Sequence, residues 1–182
     1  ISVREKSASA LIEKLSGKEV TTVLDPTLLL KKEQWENAKK DIDIQEPFLL
    51  VYSFGYPETL KKTAELISEK KGQKIVTFHK QRHYKNELCR FPYAGPREFL
   101  GLFAKADFVV TNSFHGTAFS LIYQKPFYSL ISNNRGARLK NLLTDLGILN
   151  RLLVKEEDIV TDKDIDYALV ENILASLRKK SI

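Results

Sequence analysis

The sequence predicts an α/β fold of the doubly wound class, a mostly parallel sheet with helices on both faces, and three observations carry that prediction. Apolar periodicity switches repeatedly between the strand pattern and the helical one. The runs Phe48-Leu49-Leu50-Val51-Tyr52 and Phe108-Val109-Val110 are almost continuously apolar, as in parallel strands buried on both sides. Strand and helix patterns alternate at a spacing that suits βαβ units.

Taken in order, Ile1-Ser2-Val3-Arg4 is strand-like, and Ala8, Leu11, Ile12 and Leu15 then fall on one helical face, with Ser7 as N-cap and Gly17 as the stop. Val20 to Leu24 reads as a strand closed by Asp25-Pro26, because proline lacks a ladder donor. Residues 31–46 carry dense charge around the single Trp35 and read as a surface excursion. After the strand at Phe48, Pro57 starts a helix through Leu60, Ala64 and Ile67, and Gly72 ends it. Lys74 to Phe78 is a strand, and the stretch to Tyr93 is a long basic loop. Gly95-Pro96-Arg97-Glu98 opens a helix through Phe99, Leu102 and Phe103, followed by the strand at Phe108. A helix from Thr117 to about Tyr123, a strand from Phe127 to Ile131 and a helix through Leu139, Leu142, Leu143 and Leu146 come next. A last helix over residues 165–180 ends on Arg178, Lys179 and Lys180, the favourable side of its dipole.

Length and composition set the bounds. At 182 residues, 43% hydrophobic and 29% charged, the chain has the size and balance of a single globular domain over 1–182 rather than a disordered or low-complexity segment. It lacks methionine and opens directly on a strand, which predicts that it is part of something longer. A lone Cys89 excludes an internal disulfide and fits a reducing compartment. The longest apolar stretch, Phe48 to Tyr56, is interrupted by Ser53 and Gly55 and falls short of the ~18–20 residues of a membrane span.

The net charge of +6 is concentrated in one place. Lys70, Lys71, Lys74, Lys80, Arg82, Lys85 and Arg90 face only Glu69 and Glu87 in that stretch, so seven cations less two acids give +5. An anionic partner or a solvated loop would account for it.

In a doubly wound sheet, ligands bind beyond the carboxyl ends of the strands, where helices present their N-termini. Thr111-Asn112-Ser113-Phe114-His115-Gly116-Thr117 occupies that position after the most apolar strand. Amides at a helix start hold phosphate or carboxylate, Gly116 permits close approach, Ser113 and Thr117 add hydroxyls, and His115 is an ionisable donor near neutral pH. A purely structural turn, with Asn112 and Ser113 as caps and His115 packed, uses the same residues. Arg4, Arg135 and Arg138 end or follow strands and are candidate cations for the same edge, since arginine grips an oxyanion with two parallel hydrogen bonds. His79 and His83 lack the pattern of a zinc site, and neither a Walker loop nor G-x-G-x-x-G is present.

With these residues in hand, the chain resembles the C-terminal half of the polysaccharide pyruvyl transferase family. The resemblance rests on Ser2-Val3-Arg4-Glu5, on Asp25-Pro26-Thr27-Leu28-Leu29-Leu30 before Trp35, and on Gly95-Pro96-Arg97-Glu98-Phe99-Leu100. Above all it rests on Ala106 to Ser120, and it runs in order through Arg138 to about Leu153. It implies a glycosyltransferase-B-like enzyme of two Rossmann-like halves with a cleft between them, of which this chain is the second and the N-terminal domain is a missing partner. It also implies transfer of the enolpyruvyl group of phosphoenolpyruvate onto two hydroxyls of a sugar or lipid-linked saccharide as a pyruvate ketal. No cofactor is implied beyond that donor, and the location implied is cytoplasmic or peripheral at the inner membrane face. Arg4 and His115 match the family's donor-site residues, and a further cation is open among Lys125, Arg135 and Arg138. The competing readings are a sugar-nucleotide glycosyltransferase domain and a nonenzymatic module that binds nucleic acid or another anion through residues 69–90.

Overall fold

A computed structural model describes residues 1–55, 57–80, 83–131, 136–154, 159 and 164–182, without the side chains of residues 6 and 7. The chain divides into two compact units, Ile1–Lys31 with Asp166–Ile182, and Lys32–Ile165, where the sequence suggests one.

The smaller unit is a short βαβ element joined by the C-terminal helix. Strand β1 (Ser2–Val3) pairs in parallel with β2 (Thr21–Thr22), and α1 (Lys6–Ser16) connects them. Helix α1 starts before Ser7, which is therefore not its cap, and it ends at Gly17 in the left-handed conformation at φ 64°. Asp25 caps the one-turn helix α2 (Pro26–Leu29), accepting from the Thr27 amide at 3.0 Å. The last helix, α8 (Tyr167–Ser181), brings Arg178 to the Leu28 carbonyl at 2.7 Å and Ser181 to the Leu24 amide at 2.9 Å. These bonds tie the chain terminus to residues 150 and 157 positions away in sequence.

The larger unit opens with α3 (Lys32–Glu36), inside the stretch expected to be a surface excursion. Trp35 anchors it by packing edge-on against Phe119 at 5.1 Å. Then follow β3 (Phe48–Tyr52), α4 (Glu58–Lys71), β4 (Lys74–Thr77), β5 (Glu87–Arg90), α5 (Pro96–Lys105), β6 (Phe108–Thr111) and α6 (Phe114–Ile122). The unit finishes with β7 (Phe127–Leu130), α7 (Gly136–Asp145), a 3-10 turn at Leu149–Arg151 and β8 (Leu152–Leu153). All six strands are parallel, in the order β5-β4-β3-β6-β7-β8. The chain thus starts mid-sheet, works to one edge, returns, and works to the other, which is the Rossmann order.

Alternation along the strands separates the two faces. Leu49 and Val51 of β3 join Leu60, Ala64 and Ile67 of α4 in one apolar cluster. Tyr52 instead packs on Phe99 and Phe103 of α5, at 5.1 and 6.0 Å, and Phe99 meets Phe119 of α6 at 5.2 Å. Strand β5 corrects the expectation of a loop through Tyr93. It is a partly buried edge strand whose register shifts opposite Ile75 and Val76, so its residues show no regular in–out alternation.

Tyr123, just beyond α6, is buried, and its hydroxyl has no hydrogen-bond partner among the described residues. Burial, then the nearby Glu36 charge, pushes its phenol up to about 12. The unfolded chain releases this proton at roughly pH 10, earlier than the folded one. Folding stability contributed here is therefore complete below about pH 10 and falls from there to about 12. Tyr123→Phe is expected to be neutral or to stabilise by up to about 1 kcal/mol at pH 7, and to flatten the alkaline fall. Urea denaturation of both proteins at pH 7 and pH 11 checks this.

Candidate functional site

The strand order reverses between β3 and β6, so the crevice of a Rossmann-type sheet opens beyond Tyr52 and Thr111. Asn112 ties the two sides of this switch point together. Its side chain accepts from the Phe54 amide at 2.8 Å and donates to the Phe54 carbonyl at 2.9 Å, continuing the pairing of β3 with β6 past the strand ends. Beside it, Ser53 and the buried His79 share a hydrogen bond of 2.7 Å between Oγ and Nε2. Sequence spacing carries no signal for Ser53 or for the link from Asn112 to Phe54, and it offers His79 only as a loop histidine that lacks the pattern of a zinc site.

Helix α6 begins at Phe114, three residues earlier than its apolar pattern suggests. Ser113 is the N-cap, its hydroxyl accepting from the Gly116 amide at 3.3 Å. His115 therefore lies in the first helical turn, half-buried, with its ring 5.7 Å from that of Phe114. The amides of Phe114 and His115 belong to the turn that has no intrahelical acceptors, so the helix start keeps its positive end toward the crevice.

Three of the predicted ligand contacts have structural work instead. A Cβ on Gly116 would come within 2.2 Å of Thr111 Oγ1, so this glycine lets α6 lie against β6 and leaves no opening for a ligand on that side. The fully buried Thr117 hydroxyl donates to the Ser113 carbonyl at 3.1 Å and shares a 2.6 Å bond with Ser129 Oγ. Ser113 is 1% exposed and occupied as a cap.

The candidate cations separate by the end of the sheet they occupy. Lys125 precedes β7 and so stands at the amino end of the strands, away from the crevice; burial is the main influence lowering its pKa. Arg138, in the first turn of α7, stacks its guanidinium 3.7 Å from the centre of the Phe114 ring, next to His115. Arg135 lies outside the described residues. Arg4 belongs to the smaller unit, where it is half-exposed and pairs through Nη1 with buried Asp25 at 2.5 Å.

The remaining sequence signals are structural. Gly95-Pro96-Arg97-Glu98 forms the start of α5, with Glu98 accepting from the Gly95 amide at 3.2 Å. Lys40 at 2.9 Å holds the Glu98 carboxyl below its usual range. In the basic segment, Arg90 binds Glu87, the Lys80 carbonyl and His83 Nδ1, the last at 2.6 Å. Arg82 lies outside the described residues. Cys89 has its thiol pushed up by burial, then by Glu87, which disfavours a reactive thiolate. No helix among the described residues is long and apolar enough to cross a membrane.

A six-stranded parallel sheet in the Rossmann order, with a histidine in the helix turn at its switch point, defines an α/β domain of the doubly wound class. The sequence matches the polysaccharide pyruvyl transferase family model over residues 1–135, and the chain belongs to that family. Among solved structures, one described as the glycotransferase of kitacinnamycin is similar at 18% identity and a TM-score of 0.48. That match covers 78% of this chain and 40% of the other, so this chain spans less than half of that protein's length. No curated protein matches.

Proposed function

We propose that this chain supplies the donor-binding part of an enzyme that moves the enolpyruvyl group of phosphoenolpyruvate onto a sugar diol as a pyruvate ketal. The observation that carries the reading is His115 in the first turn of α6 at the switch point, within the segment that matches the family. Phosphoenolpyruvate is a small polyanion, and its phosphate and carboxylate suit the Phe114 and His115 amides together with the Arg138 guanidinium. Arg4 lies in the other unit, and for it the family match alone suggests a part in donor binding.

In the reaction, His115 gives a proton to the methylene carbon, leaving an oxocarbenium-like centre at C2. A sugar hydroxyl adds there and loses its proton to a base. Phosphate then departs with the electrons of its C–O bond, and a second hydroxyl closes the ketal and releases the second proton. One proton has entered the new methyl group and two have left the hydroxyls, so one is released overall, to phosphate or solvent.

The test is an assay of the complete protein with phosphoenolpyruvate and saccharide acceptors. Acceptor-dependent phosphate release, with a pyruvate ketal in the product, is expected. Turnover of a nucleotide sugar, with phosphoenolpyruvate inert, would overturn the reading.

A further inference from the structure

A cavity of about 310 Å³ opens on the α4 side of the large sheet, at the amino end of the strands and so away from the switch point. Lys70 and Lys71 at the end of α4, Phe108 opening β6, Tyr128 of β7, Arg151 and Ile159 line it. Among the described residues, the lining contains three cations and no carboxylate. Arg151 is 5% exposed, and its Nε has no hydrogen-bond partner among the described residues. Its guanidinium stands 5.4 Å from the Tyr128 ring centre, and Lys71 Nζ lies 5.1 Å over Phe108.

A guanidinium stays charged in any protein environment, and burying one of its N–H groups, here Nε, without an acceptor is costly. Ring faces attract cations but accept no strong hydrogen bond, so Tyr128 offsets only part of that cost. Lysines at a helix C-terminus favour its dipole, which accounts for Lys70 and Lys71 but not for Arg151. We infer that this cavity is a second binding site, for a small organic oxyanion. Arg151 takes a phosphate or carboxylate head with two hydrogen bonds, the two lysines add charge at the mouth, and an apolar body lies against Phe108, Tyr128 and Ile159. The site does not depend on the pyruvyl transfer reading, which uses the other end of the sheet.

The experiment is an amide-resolved NMR titration of the protein with phenyl phosphate, benzoate, inorganic phosphate and neutral phenol. Saturable shifts at Lys70, Lys71, Phe108, Tyr128 and Arg151 are expected with at least one aromatic anion, and phenol should leave them unmoved. Comparison of phenyl phosphate with benzoate tells which head group is preferred. Inorganic phosphate is expected to bind about tenfold more weakly than the preferred anion, for want of an apolar body. Arg151→Gln should weaken binding about tenfold or more. The exposed pair Lys70→Gln with Lys71→Gln should weaken it several-fold without disturbing the fold, which keeps the test decisive if Arg151→Gln does not fold. Shifts confined to residues 112–117, no saturation with either aromatic anion, or unchanged affinity in the lysine variant would overturn the assignment.

Discussion

His115→Ala in the complete protein is expected to lower kcat by ~10²–10⁴-fold, the usual contribution of a positioned general acid. The loss should exceed the loss in donor affinity, because the amides at the start of α6 and the Arg138 guanidinium stay where they are. His115→Gln separates the two roles of the imidazole. Glutamine donates a hydrogen bond yet delivers no proton at neutral pH, so phosphoenolpyruvate binding should stay within a few-fold of wild type while turnover remains slow. Near-normal kcat in a correctly folded His115→Gln protein would exclude proton donation and reduce the turn to an anion holder. The equivalent question for Arg4 needs a stability control, since Arg4→Ala also leaves the carboxylate of Asp25, a buried residue, without its arginine.

The second large effect is structural. Gly116→Ala would place a methyl group 2.2 Å from Thr111 Oγ1. Thr111 is fully buried, and its hydroxyl donates to the Tyr52 carbonyl at 2.5 Å and accepts from the Ser113 amide at 3.0 Å, so it has no room to yield. Helix α6 must then move off β6, at about 1–3 kcal/mol for overpacking a tight contact. The same shift displaces His115, and activity should fall even where the protein stays folded. Adding Thr111→Ala removes the contacts at 2.2 and 3.1 Å but keeps the Thr111 Cβ at 2.9 Å, so it relieves the clash in part, at the expense of two hydrogen bonds. The double variant is therefore expected to be more stable than the two single losses would sum to, a coupling that chemical denaturation of all four proteins measures. Strict additivity would mean that the two residues do not compete for the same space.

The fold class was legible because its signals are local. Strands β3, β6 and β7 are short apolar runs, and Gly17, Gly72 and Gly147 end helices or turns at positive φ, as their positions in the pattern suggest. What stayed hidden depends on residues far apart in sequence. Edge strand β5 has neither a continuous apolar run nor a clean alternation. The start of α6 at Phe114 was missed because Gly116 in the first turn is a poor helix former, and its presence follows from the contact with Thr111 across the β6–α6 turn. The Ser53–His79 and Asn112–Phe54 bonds span 26 and 58 residues and exist only once the strand order is set. The same holds for the further cation. Sequence spacing left Lys125 and Arg138 equivalent, whereas parallel strands put them at opposite ends of the sheet. Helix α1 shows the converse limit, for its periodicity is regular yet Leu11 and Leu15 remain 58% and 76% exposed.

The central claim is that the start of α6 at the switch point receives the donor, and the most direct measurement is a titration of the complete protein with phosphoenolpyruvate, followed at individual backbone amides. Saturable shifts centred on Asn112 to Thr117 and extending to Arg138, with inorganic phosphate competing at the same residues, are the predicted result. Shifts confined to the amino end of the sheet around Lys71 and Arg151, or no binding where a nucleotide sugar does bind, would contradict it.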